Sequence, residues 1–207
     1  MRVNRRGRII RDAHQNRINR KQFFNKSKII PNSLLKHQKV CYCISAKRLF
    51  NEKKREVKTV YSVYDIANWF LSQKTMSHKK LQKMCYYAQA WSYALYNRPL
   101  MDTEFQAWVH GPVSPQLYQK YKGHGFQDLY CDGDLHISLS EEDRELLESV
   151  MLTYGDYTGN ALEALTHTEL PWIEARGNLS NSENCDNVIS AATMRSFYQS
   201  IYAGGDA

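Results

Sequence analysis

No apolar run in the 207 residues approaches the roughly 18 that a membrane-spanning helix needs. The start, Met1-Arg-Val-Asn-Arg-Arg, is charged but leads into no apolar signal core, so a cytoplasmic protein without membrane contact is expected. Cysteine is sparse: Cys41, Cys43, Cys85, Cys131 and Cys185 are odd in number and irregularly spaced, which argues for reduced thiols and against a disulfide scaffold. No His-x-x-x-His or Cys-x-x-Cys pair occurs, so no metal-ligand set is readable. A nucleophile elbow, a Gly-rich phosphate loop and a helix-turn-helix signature are missing as well. The expectation is a protein that is not an enzyme and carries no cofactor or metal.

Other scarcities are local. Residues 1–60 hold no tryptophan, one of the 14 tyrosines, and 3 acidic residues against 18 Lys and Arg. Residues 61–207 hold all four tryptophans and reverse the charge, with 10 basic against 18 acidic side chains. The net +7 of the chain therefore averages an arm of +15 with a body of −8. The arm has too few large apolar residues to offset its chain entropy, so 1–60 is expected to be disordered. An alternative reading is a start placed too far upstream, with Val57 or Val60 encoded by GUG as the true first residue. If translated, the arm would attract nucleic acid non-specifically through phosphate neutralisation, without base stacking, since few aromatics interleave with its charges. The body, 61–207, has the length of one domain and enough large apolar residues for a core.

Periodicity in the body is mostly helical. Ser62 with Asp65 opens a helix bearing Val63, Ile66, Ala67, Phe70 and Leu71. Ser77 caps a second helix of about 19 residues, with Leu81, Met84, Cys85, Ala88, Trp91 and Leu95 as its inward stripe, ended by Asn97 and Pro99. Phe105, Ala107 and Val109 alternate as a strand, and Gly111-Pro112 breaks it. Ser114-Pro115 restarts the chain as a helix to about Tyr121. Leu135, Ile137 and Leu139 alternate in turn, and predict an antiparallel partner for 105–109. Ser140 with Asp143 caps the next helix, short helices follow at 158–166 and 171–176, 177–187 reads as a loop, and Ser190 opens a last helix with Met194, Phe197, Tyr198 and Ile201 inward. The expected fold is mainly α: a compact helical domain of about six helices with a small two-stranded antiparallel β element, behind a basic arm.

Three segments carry a family pattern. They are Phe105-Gln-Ala-Trp-Val-His-Gly-Pro-Val-Ser-Pro-Gln-Leu-Tyr-Gln-Lys-Tyr121, then Leu165-Thr-His-Thr-Glu-Leu-Pro-Trp-Ile-Glu-Ala-Arg176, and Lys80-Leu-Gln-Lys-Met-Cys-Tyr-Tyr-Ala-Gln-Ala-Trp91 followed by Arg98-Pro-Leu100. In order and spacing they resemble the Panacea antitoxin domain, a family long known only as phage-associated proteins, over residues about 61–177. The resemblance implies a small bacterial or phage (prophage) antitoxin of a toxin-antitoxin system. It would neutralise a cognate toxin, usually encoded by an adjacent gene, through direct protein-protein binding. The toxin's active surface would be masked, or the toxin held in a complex that a protease then clears. The acidic body would suit a basic toxin through steering. A nucleic-acid-binding regulator acting through the arm is one alternative, and an enzyme acting through His110 or His167 is another.

The residues singled out as family signature or partner surface are Trp108, His110, Gly111, Pro112, Tyr118, Tyr121, His167, Glu169, Pro171, Trp172 and Arg176. Trp108, Tyr118, Tyr121, Trp172 and the Tyr86-Tyr87 pair are residue types enriched at interfaces, and equally at home in a core. His110 has the position of a base at a strand end, or of a ring bonded to backbone that holds the corner. His167 and Glu169 lie two apart, so on a helix they do not face each other. A helix-end role is expected for His167, and backbone N–H groups or Arg176 as partners for Glu169. Arg176 is expected in a buried ion pair.

Overall fold

The computed structural model describes residues 60–131, 133 and 137–204; expectations placed on 1–59, and on the start of the strand at 135–139, fall outside the described residues. The elements are α1 (Val63–Gln73), β1 (Met76–Ser77), α2 (His78–Tyr96), β2 (Gln106–Trp108), β3 (Gly111–Val113), α3 (Pro115–Tyr121), a 3-10 turn (Lys122–His124), β4 (Asp128–Leu129), α4 (Glu141–Tyr154), α5 (Gly159–Thr166), α6 (Leu170–Arg176) and α7 (Ala191–Gly204). The fold is mainly α, with seven α-helices among the described residues against the six expected, and two small antiparallel sheets instead of one.

Helix starts follow the local chemistry. The hydroxyls of Ser62, Ser77, Ser114, Ser140 and Thr158 each accept a backbone N–H of the first turn they precede, an arrangement whose loss typically costs about 1 kcal/mol. Helix α2 ends on Asn97 in the left-handed region, φ 54, a conformation that asparagine tolerates better than most side chains.

α2 is the axis of the domain, and α1, α4, α5, α7 and β3 all pack on it. A single inward stripe was the expectation; instead nearly its whole circumference is buried, from His78 and Lys80 through Ser92 to Ala94. Sequence periodicity missed this because six of those fifteen buried residues are polar. Their polar atoms reach out of the helix and fasten the surrounding loops. Gln82 accepts from Ser114 N (2.9 Å) and donates to Ser114 O (3.3 Å). Gln89 accepts from Leu100 N and Met101 N and donates to Met101 O. Ser92 donates to Arg98 O, Lys80 to Gly155 O and Lys83 to Pro112 O. Buried loop carbonyls and amides thereby gain the partners that water would otherwise supply.

Aromatic packing fills the space around α2. Tyr87 stacks on Tyr154 (4.0 Å, 7°), Trp91 Nε1 donates to Tyr154 Oη (3.0 Å), and Tyr198 of α7 packs on Tyr86, Tyr87 and Trp91. Each such fully buried ring contributes roughly 1.5–3 kcal/mol by area alone. At the other end, Arg98 donates to Asp143 Oδ1 (2.6 Å) while Tyr61 Oη donates to Oδ2 (3.0 Å), tying the loop after α2 to the start of α4.

The strand expected at 105–109 forms, but its partner was misassigned. β2 pairs with β3 in a hairpin, Gln106 opposite Val113 and Trp108 opposite Gly111. Residues 137–140 are not strand. Gly111-Pro112 reads as a break, yet the chain reverses just before it, at Val109-His110, and Gly111-Pro112 belongs to the returning strand: Pro112 sits opposite Ala107 in a two-strand element, where a missing N–H is tolerated. On its other side β2 receives the chain before α7, with Ala107 N donating to Asn187 O and Ile189 N to Phe105 O.

Candidate partner-binding site

The β2–β3 hairpin, part of one signature segment, is held from beneath by residues of the other two. Trp172 Nε1 donates to Trp108 O (3.0 Å), Arg176 Nη1 to Ala107 O (2.9 Å) and Lys83 Nζ to Pro112 O (3.0 Å). Gly111 has φ +88, and a Cβ there would stand 2.7 Å from both Lys83 Cε and Thr166 Oγ1. Only glycine fits, because the conformation is left-handed and the buried lysine lies against the backbone.

Above this base the hairpin tip is open. His110 is 69% exposed, and its Nδ1 lies 2.9 Å from Glu163 Oε1. Lys79 donates to the other oxygen of Glu163 (2.6 Å) and to Asn160 Oδ1 (3.0 Å). The Trp108 indole is half-buried, donates to Gln106 Oε1 (2.7 Å) and meets Tyr118 edge-on at 4.8 Å. Trp108 and His110 form a ridge between two clefts. One, of about 430 Å3, is lined by His78, Lys79, Lys83, Tyr118 and Phe126 among others; Phe126 is 98% exposed. The other, of about 660 Å3, lies between the ridge and Ser182–Asp186.

Electrostatics in the first cleft follow from desolvation. Burial lowers Lys83 to about 7, against the pull of the Glu163 charge, and lowers His78 to about 4, helped by Lys83 and His124. For Glu163, burial acts upward, but the hydrogen bonds from Lys79 and His110 prevail and keep its carboxyl below the usual range. Among the described residues no group of three or more His, Cys, Asp and Glu is placed to hold a metal ion.

The singled-out residues divide sharply by exposure. Trp108, His110 and Tyr118 keep accessible surface. Tyr121, Trp172, Tyr86 and Tyr87 are buried and belong to the core, so the aromatic surface is smaller than their residue types implied. Gly111, Pro112 and Pro171 are buried backbone-shaping positions. His110 bonds a carboxylate, not the backbone expected. His167 does sit at the end of α5, where its ring stacks on Trp172 at 4.0 Å. Glu169 accepts from Tyr87 Oη (3.1 Å) and Tyr198 Oη (2.7 Å), partners that were not expected for it. Among the described residues Arg176 makes no ion pair; it donates to the carbonyls of Ala107, Ser180 and Glu183 and lies over the Trp172 ring. Lys79, Gln82, Lys83, Phe126 and Glu163 were not singled out. Gln82 and Lys83 had a signal, being polar residues inside an otherwise aromatic and apolar helix; Phe126 had none beyond lying next to Gly125.

Residues 81–173 match the family model described as Antitoxin SocA-like, Panacea domain. Antitoxin SocA of Caulobacter vibrioides (strain NA1000 / CB15N) is 30% identical over 131 residues, which cover 55% of this chain and 70% of that protein. The chain belongs to the SocA-like Panacea antitoxin family. No solved structure matches it. The span matched to the Panacea model contains the whole hairpin, Lys83, Tyr118, Phe126 and Glu163, while His78 and Lys79 precede it and Arg176 follows it. Among the described residues no helix is long and apolar enough to cross a membrane.

Proposed function

We propose that this protein is a cytoplasmic, non-enzymatic antitoxin that neutralises a cognate toxin by binding it directly, through the face that carries Trp108, His110 and Tyr118. The observation that carries the reading is the relationship to Antitoxin SocA across 70% of that protein. The ridge between two clefts adds a physical reason. Partly exposed tryptophan and tyrosine on a backbone pinned by Lys83, Trp172 and Arg176 form a rigid surface, and rigid aromatic anchors bind at low entropic cost. Bound there, the antitoxin either masks the toxin's working surface or presents the toxin to a protease. The partner is expected from the neighbouring gene.

Co-expression tests this. The neighbouring gene is induced in a bacterial host with and without the full chain, and complexes are purified. Growth arrest relieved by this protein, with the two co-purifying, supports the reading. Arrest that persists despite soluble full-length protein refutes it. A second reading rests on the charge of residues 1–60, 18 basic against 3 acidic side chains. A regulator acting through them would bind duplex DNA with a steep salt dependence, lost on deleting residues 1–60.

A further inference from the structure

The body is acidic overall, yet the six lysines of residues 61–207 all fall in two stretches, 74–83 and 120–122. Pairing of β1 with β4, Met76 opposite Leu129, joins the first stretch to the chain that follows the second. The 430 Å3 cleft opens there. Lys79, Lys83, His78 and His110 line it, and among the described residues no Asp or Glu does. Trp108, Tyr118, Phe126 and Val113 give it an aromatic and apolar wall, and Ser77, Gln82, Thr158 and Asn160 add neutral polar side chains. A phenylalanine 98% exposed at the rim of such a cleft is an uncovered anchor.

We infer that this cleft receives an acidic segment of the partner protein, one that places an apolar side chain against Phe126, Tyr118 and Trp108 and a carboxylate toward Lys79 and Lys83. The inference rests on the antitoxin reading for the partner's identity, though not for the chemistry. The cleft already displays the interaction internally. Glu163 lies behind Lys79 and His110 at 2.6 and 2.9 Å and shows that these two groups are spaced to hold one carboxylate. Lys83 is not matched in that way. It is 1% exposed, burial lowers it to about 7, and its hydrogen bond among the described residues is to the neutral Pro112 carbonyl, so an incoming carboxylate would favour its charged form and find donors to spare. An incoming carboxylate would supply a charge-assisted bond in a desolvated setting, where such bonds are strongest. Nucleic acid fits less well. Phosphate recognition along a strand wants several cations in a row, whereas this cleft is lined by two lysines, enough for one carboxylate and too few for a run of phosphates.

The test does not need the toxin. Random 12-residue peptides displayed on phage are panned over the immobilised full chain, and selected peptides are measured by fluorescence anisotropy. Phe126→Ala and Lys79→Gln are compared with the parent; both positions are at the surface, and Phe126 supports no packing. The expected outcome is enrichment of peptides pairing Asp or Glu with Phe, Trp, Tyr or Leu, whose affinity falls at least tenfold in either variant. No enrichment, enrichment of basic peptides, or equal binding by both variants overturns the inference. So does a single-stranded oligonucleotide that binds the parent and loses affinity in both variants, since the cleft would then serve nucleic acid. In the growth assay, full rescue by both variants removes the cleft from toxin binding and leaves the antitoxin reading standing. Failure of the parent to rescue has the opposite meaning.

Discussion

Replacing Gly111 by alanine probes the joint between scaffold and hairpin. At φ +88 an alanine carries backbone strain of about 1–2 kcal/mol. Its methyl would also stand 2.7 Å from Lys83 Cε and from Thr166 Oγ1. Forcing a methyl into a packed site costs about 1–3 kcal/mol, so the total is about 2–5 kcal/mol. For a chain of this size each kcal/mol lowers Tm by roughly 2–4 °C, giving a fall of roughly 5–15 °C by differential scanning fluorimetry. A double-mutant cycle isolates the cause. In a Lys83→Ala background the Cε is gone, so the same glycine substitution should cost about 1 kcal/mol less. A Tm within 2 °C of the parent, or strictly additive effects, would refute the close packing of Lys83 against the hairpin.

Arg98→Ala leaves Asp143 buried beside Tyr61 without its cation, and should cost about 3–5 kcal/mol in urea unfolding. Glu169→Gln keeps shape but removes the charge that two tyrosine hydroxyls point at, and should cost about 1–3 kcal/mol by the same assay. Lys83 predicts a pH dependence: burial holds it at about 7 in the folded chain against 10.5 otherwise, so between those values the unfolded chain binds the extra proton and stability rises with pH. Unfolding at pH 7 and pH 9 should differ by about 2 kcal/mol from this group alone, and Lys83→Met should abolish the difference.

Legibility from sequence tracked how local the cause was. Helix starts at Ser62, Ser77, Ser114 and Ser140 were readable because a cap acts within three residues. Strand pairing was not: Leu135, Ile137 and Leu139 alternate like a strand, but alternation names no partner, and the tight Val109-His110 turn gave β2 a nearer one. The same limit applied to the site. Arg176 and Glu169 sit seven residues apart and suggested a pair, yet Glu169 turns into the tyrosines around α2 while Arg176 turns to carbonyls. The apolar setting of Lys83 and Gln82 hinted at their burial, but their partners were invisible for a related reason. A polar residue is buried when distant backbone needs its bond, and only the fold says where Pro112 and Ser114 end up.

A division of labour follows from which residues face inward. The segments that carry the family pattern contribute mostly buried hardware: Gln82, Lys83, Gln89, Gly111, Glu169, Trp172 and Arg176 are all under a tenth exposed or hold the hairpin from beneath. A binding partner reads only what reaches the surface. At this face that means Trp108, His110 and Tyr118 from the pattern, and Lys79 and Phe126 from outside it. The pattern therefore specifies a platform, while substitutions at rim positions such as Phe126 alter recognition with little cost to the core. Phe126→Ala and Gly111→Ala should separate the two roles. The first should leave Tm within about 1 °C, because a side chain that packs on nothing contributes little stability, while weakening partner binding. The second should lower Tm and weaken binding together. If Phe126→Ala also lowered Tm by several degrees, the rim would be part of the scaffold and the division would not hold.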